Sequence, residues 1–422
     1  MKKIVIQIIL LQTLVCSKAQ SYSDTVFSDS IRTVQLHRTD WELSYPVITL
    51  NSTDRLELNF DELTSEMKQY YYTIEHCSSD WHPSDITFTE YAEGYMENPI
   101  YSFKYSITTT FPYIHYAVIF PNDQLNIRYS GNYVIKVYED HDPEKIILIK
   151  RFYVVDHKAT FDITTSRPVQ GSMFSAGNQI DFKINHQVEN VVDPRREFRV
   201  IISQNFSFHN AVYDILPIYM EGNLLDYTLQ KGTIFLAGSE FRNFDITNIR
   251  YVSAFVQKVE LRVPFYHFIL MPSVLRTFSK YTYDQDINGR YKIAIGRGGD
   301  PNTDADYVFV HFSFPFEAPD PDGDIYIFGQ LSDWRCRKDF KMNYNFETKS
   351  YEAVLLLKQG YYNYEYVYKR RKDGWIDHTF AEGNHWETEN DYYIFFYYRP
   401  FAGRYEQLVG LGMANSLRKG DQ

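Results

Sequence analysis

The densest run of reactive side chains is His76-Cys77-Ser78-Ser79-Asp80-Trp81-His82, which sets a thiol, two imidazoles and a carboxylate within seven residues. Structural zinc takes four ligands in paired spacings, and no second Cys/His pair of that kind accompanies this one. A cysteine nucleophile draws its histidine base from a distant position that the fold brings near, so adjacency along the chain is no signature of one. The run therefore reads as a strand that ends in a polar turn.

Two acidic loops invite a calcium reading. In Asp284-Gln285-Asp286-Ile287-Asn288-Gly289 the oxygen ligands of a calcium loop stand at positions one, three and five and the turn glycine at six, but position twelve is Ile295 where a bidentate Glu is required. The flanks alternate as Tyr281, Tyr283 and then Tyr291, Ile293, Ile295, so Asn288-Gly289 is predicted to be a two-residue hairpin turn. Asp320-Pro321-Asp322-Gly323-Asp324 has its glycine misplaced and Leu331 at the twelfth position, which suits a solvated turn between strands. Gly296-Arg297-Gly298-Gly299 lacks the Lys-Ser/Thr and helix of a phosphate cradle. No G-x-S-x-G or H-E-x-x-H signature is present. The expectation is a chain with no catalytic, cofactor-binding or metal-binding residues, with calcium at the acidic loops left open.

Ile325-Tyr326-Ile327-Phe328-Gly329-Gln330-Leu331-Ser332-Asp333-Trp334, followed by Leu355-Leu356-Leu357-Lys358-Gln359-Gly360-Tyr361-Tyr362-Asn363-Tyr364-Glu365-Tyr366, resembles starch- and glycogen-binding β-sandwich modules, whose exposed aromatic faces stack on sugar rings. Trp334, Trp375 and Trp386 on one exposed face would make a glycan binder. Buried, the same residues would plug a core.

Strands must position all of these. The chain holds 37 Tyr, 31 Phe and 5 Trp, an aromatic share of 17% that favours half-buried pleated surfaces. Period-two alternation marks strands at Arg55 to Phe60, Tyr133 to Tyr138 and Arg199 to Ile202. Turns fall at Ser130-Gly131-Asn132, Glu221-Gly222-Asn223, Asp322-Gly323 and Asp373-Gly374. The only helical suggestion is a turn or two from Asp61 to Lys68. An outer-membrane barrel would need longer strands with an apolar outer face, usually to the end of the chain; these strands are short and mixed. The predicted fold is all-β, tandem immunoglobulin-like β-sandwiches.

Lys2 and Lys3, an apolar stretch from Ile4 to about Val15, and Ser17-Lys18-Ala19 before Gln20 form a secretory leader over residues 1–19. A lipoprotein leader ending at Cys16 is the alternative, disfavoured by Val15. No later stretch reaches the roughly 18 apolar residues of a spanning helix. Without the leader, 403 of the 422 residues remain, enough for about three domains, divided at 20–157, 158–300 and 301–422. The formal charge falls from −11 to −14, which argues against nucleic acid and anionic lipid as partners. Cys77 and Cys336 fall in different units and are expected to be two buried thiols.

Several stretches together resemble one family, the plug protein of the bacterial type IX secretion system. They are Tyr72-Thr73-Ile74-Glu75-His76-Cys77, Asp80-Trp81 with Pro83-Ser84-Asp85, Glu90-Tyr91 with Gly94-Tyr95, and Tyr113-Ile114-His115-Tyr116 leading to Pro121-Asn122-Asp123. Further stretches are Ser203-Gln204-Asn205, Gly238-Ser239-Glu240-Phe241-Arg242, Asp286-Ile287-Asn288-Gly289-Arg290 and Glu382-Gly383-Asn384-His385-Trp386 to Tyr392. Ser239 stands where an Asn is expected. The resemblance implies a non-catalytic periplasmic protein at the inner face of the outer membrane. Its partner would be a very large translocon β-barrel, whose periplasmic mouth it caps when idle. The alternative is a periplasmic or surface glycan-binding protein. The residues that would touch the barrel are not legible.

Overall fold

The structure, a computed structural model, describes residues 21–417 apart from 170, 172 and 297. The leader expected at 1–19 lies outside the described residues. The fold is all-β, with helix confined to single turns such as Phe88–Tyr91 and Pro194–Glu197. Asp61 to Lys68 is not helical: Asp61 and Glu62 complete the strand Leu56–Glu62, and bends follow.

Three hydrophobic cores organise the chain. The first unit opposes the sheet of Ile31–Arg38, Leu56–Glu62, Ile114–Phe120 and Ser102–Tyr105 to one built on Tyr70–Cys77, Gly131–Glu139 and Ile146–Val155. Alternation drives it: Leu56, Leu58 and Phe60 face inward and meet Tyr133, Ile135 and Val137 in one core.

The second and third units do not follow the expected division near residue 300. Strands Arg242–Asp245 and Tyr291–Ile293 pair with Gly360–Arg370, and Phe265–Leu270 pairs with Tyr307–Pro315. A boundary at 300 would cut through both sheets of this unit. The last two strands, Asp391–Tyr398 and Gln407–Asn415, instead return to the second unit, where Asp391–Tyr398 pairs with Phe198–Gln204. The third unit is thus inserted between Leu236 and Asp391 of the second, and partners such as Ile202 and Ile394 lie far apart in sequence.

The returning strand explains how the units join. Asp391 to Tyr398 is buried throughout: Tyr392, Ile394 and Phe396 fill the second unit's core, while Tyr393, Phe395 and Tyr397 point the other way, against Trp81, Val134 and Tyr153 of the first unit. A continuous apolar run is what a strand buried on both faces requires.

Candidate functional site

Each residue of the reactive run has a structural task. His76 and Cys77 end the strand Tyr70–Cys77. His76 Nδ1 bonds Ser84 Oγ at 2.8 Å and Nε2 lies 3.2 Å from the Ser130 carbonyl. Burial pushes its pKa down to about 4, so the ring is neutral. Burial raises the pKa of Cys77, leaving a thiol with no reactive character. Asp80 turns to Ser78 and His82, and Trp81 packs into the seam with the second unit. The four groups do not converge. Among the described residues no three His, Cys, Asp or Glu side chains are placed to hold a metal ion. Cys77 and Cys336 are both free thiols, Cys336 only half-buried.

Asn288 and Gly289 adopt positive φ, 52° and 72°, the conformation of a type I′ turn, but the expected hairpin does not form. Residues 281–287 pair with no strand, because Tyr281 and Asp286 turn to other partners. Asp286 accepts hydrogen bonds from the backbone N–H groups of Phe241 and Asn288 at 2.6 and 2.7 Å. Burial, with Glu240 and Glu389 nearby, holds its pKa up at about 7. Tyr281 donates to Glu240 at 2.6 Å. In the second acidic loop Asp320 accepts from Tyr368 and Asp324 pairs with Lys341 and Arg371.

The three tryptophans do not share one platform. Trp334 is half-buried, edge-on to Phe241 and Phe328. Trp375 is 51% exposed, and both line one cavity. Trp386 is not in that wall; it lies under the Arg167 guanidinium at 4.4 Å.

Sequence reading passed over a polar knot between the first and third units. Asp61, on the outer face of its strand, accepts from Lys358 Nζ at 2.6 Å, from Tyr307 OH at 2.7 Å and from His115 Nδ1 at 2.7 Å. Lys358 also donates to the Asn302 carbonyl and lies 4.3 Å from the Tyr113 ring centroid. The Asp61 and Lys358 side chains are each 1% exposed. Burial pulls the Lys358 pKa below its usual value, against the attraction of Asp61. Lys150, held between Asp24 and Asp333 at 2.9 and 2.8 Å, ties the same two units. The second and third meet where Asn288 bonds Asp391 and His209 stacks on His378. All three pairs of units are therefore joined through buried contacts.

One stretch of the first unit is the reverse. From residue 95 to 107, six large apolar side chains are exposed: Tyr95, Met96, Tyr101, Phe103, Tyr105 and Ile107. Ser102–Tyr105 is the edge of its sheet, pairing only with Ile114–Phe120. Phe103 and Tyr105 stand opposite Tyr116 and Ile114, which belong to the core, so these two aromatics continue the core face past the point where the opposing sheet covers it. The alternation Tyr101, Phe103, Tyr105, Ile107 was the available signal, but alternation alone does not say that the inward face is left bare.

A family model described as the Type 9 secretion system plug protein 1st domain matches residues 31–156, the span of the first core. Among solved structures, a hypothetical protein from Parabacteroides merdae is 34% identical, with coverage of 94% of this chain and 100% of its own and a TM-score of 0.90. The alkylpurine DNA glycosylase AlkC of Pseudomonas fluorescens, bound to DNA with an abasic-site analogue, is 14% identical over 30% of each chain. Its TM-score of 0.17 carries no argument. No curated protein matches.

Proposed function

Because this chain belongs to the plug protein family of the type IX secretion system, we propose that it is a non-catalytic periplasmic stopper. It seats against the periplasmic mouth of the system's large outer-membrane translocon barrel and closes it when no substrate is in transit. The observation that carries the reading is that the family match falls on the unit with the uncovered aromatic stretch. Two physical requirements support it. A wide aqueous opening is closed only by a folded body that does not deform, and three units joined pairwise by buried seams meet that requirement. A stopper must also leave, so its contact should be of moderate area and anchored by a few aromatic side chains. Tyr101, Phe103 and Tyr105 fit that description. Among the described residues no helix is long and apolar enough to cross a membrane.

The test is an affinity pull-down of the tagged mature protein from detergent-solubilised outer membranes, read by mass spectrometry. The expected result is a very large β-barrel protein in near-equal amount, strongly reduced for the double variant Tyr101→Ser/Tyr105→Ser and unchanged for Phe346→Ser, an exposed aromatic of the third unit. Recovery of no membrane partner overturns the reading.

A further inference from the structure

Where all three units and the segment 21–24 meet lies a partly open cavity of about 520 Å³, a size typical of small-ligand pockets. Aromatic side chains form part of its wall, with Trp81, Tyr153, Phe206, Phe208 and Trp334 among them. Three arginines, Arg151, Arg290 and Arg335, also line it.

The charges around this cavity do not balance one another. Its carboxylates are already engaged: Asp24 with Lys150, Asp333 with Lys150 and Arg337, and Asp80 with Ser78 and His82. Among the described residues the guanidiniums pair with no carboxylate. Arg151 lies over the Trp81 ring at 4.3 Å and donates through Nη2 to the Tyr22 carbonyl. Among the described residues its Nε is buried without a partner and its Nη1 makes no hydrogen bond. Arg290, itself buried, donates to the Ile287 and Leu43 carbonyls and has Nη2 to spare. Arg335 reaches Ser23, the Asp24 carbonyl and Thr25 through Nη1 alone. Carbonyl oxygens satisfy single donors but leave the charges of the half-buried Arg151 and the buried Arg290 without a counter-ion, which a guanidinium out of water tolerates poorly, whereas Arg335 is exposed at the mouth. The fork of donors that remains suits a planar or tetrahedral oxyanion.

We propose that this cavity is a binding site for a small organic anion with a flat apolar body, its acidic group held by Arg151 and Arg335 and its body against the aromatic wall. Because each unit supplies part of the wall, such a ligand would bridge all three seams.

The probe is 1-anilinonaphthalene-8-sulfonate, titrated by fluorescence into the full mature protein beside its uncharged analogue N-phenyl-1-naphthylamine. One saturable site is expected for the sulfonate, with at least tenfold tighter binding than for the neutral analogue. Arg151→Gln and Arg335→Gln should each weaken the sulfonate at least tenfold. Trp375→Ala, in the wall of the neighbouring cavity only, should leave it unchanged. Equal affinity for the two probes, or wild-type affinity in Arg335→Gln, overturns the proposal. Should Arg151→Gln fail to fold, the probe comparison on the unaltered protein and the exposed Arg335 still decide it.

Discussion

Asp61→Asn removes the charge at the seam between the first and third units. The amide keeps the shape but only one acceptor oxygen, so Tyr307 OH, which meets Oδ2, and His115 Nδ1, which meets Oδ1, cannot both keep an acceptor as they stand, and Lys358 Nζ loses the carboxylate 2.6 Å away. Stranding one member of a buried ion pair costs about 3–5 kcal/mol. The loss is capped because Lys358 can shed its proton: burial already depresses its pKa, and removing Asp61 removes the main force opposing that shift. Lys358→Met should cost a similar amount, since it leaves the buried Asp61 carboxyl without its ammonium partner. The double variant should then cost less than the sum, with a coupling of roughly 1–3 kcal/mol. Urea unfolding followed by tryptophan fluorescence gives the stabilities. Hydrogen exchange over Ile114–Phe120 and Ser350–Lys358 localises the loss to the seam. With both side chains 1% exposed, 1 M salt should leave the coupling almost unchanged. An Asp61→Asn cost below about 1 kcal/mol, or strict additivity in the cycle, would refute the view that this pair holds the two units together.

Tyr101→Ser/Tyr105→Ser should lie within about 0.5 kcal/mol of wild-type stability in the same urea assay, as exposed side chains do; a larger loss would mean that the stretch serves the fold. Folded His76 titrates near 4 and ordinarily near 6.5, so the unfolded chain binds the extra proton between these values. The stability difference between wild type and His76→Gln should therefore be full above pH 6.5 and shrink as pH falls to 4, by on the order of 3 kcal/mol. Asp286 runs the other way: the folded carboxyl keeps its proton up to about 7 against 3.8 ordinarily. Wild type should lose stability relative to Asp286→Asn as pH rises from 4 to 7, by on the order of 4 kcal/mol, and parallel pH profiles would remove the assignment. Gly131 has φ +149° and a Cβ there would sit 2.3 Å from His76 Nε2. Gly131→Ala should cost roughly 1–3 kcal/mol, read by thermal unfolding.

Most of the strands were legible because alternation is a local property. Leu56, Leu58 and Phe60 point inward as their spacing implies. The same spacing misleads at Asn59, whose polar side chain is buried against His37 and His115 of its own unit, and Asp61 is buried because a unit more than 200 residues later brings Tyr307 and Lys358 to it. The insertion was hidden for the same reason. Ile202 pairs with Ile394, and nothing in either segment names the other. The run Asp391 to Tyr398 did carry a signal, since eight residues without a soluble face imply cover on both sides; what covers them was not in the sequence. The three guanidiniums were invisible as a set, because Arg151, Arg290 and Arg335 meet only where the units do.

The exposed edge strand bears on how a partner would be held. A bare sheet edge invites strand addition, and proteins guard such edges with short strands and charges. Ser102–Tyr105 has both guards: it is four residues long, and Lys104, on the face opposite Phe103 and Tyr105, reaches Asp300 of the third unit at 3.0 Å. A strand added there would have few ladder positions and would meet the third unit on one side. The aromatic side chains on the other face have no such guard. Contact through those rings alone is reversible in a way that a continued hydrogen-bonded ladder is not, and it leaves the buried seams undisturbed when the partner departs. On the proposed reading, the chain would separate what must not yield, the buried charges and aromatic seams, from what must let go, an aromatic face at one edge of the first unit.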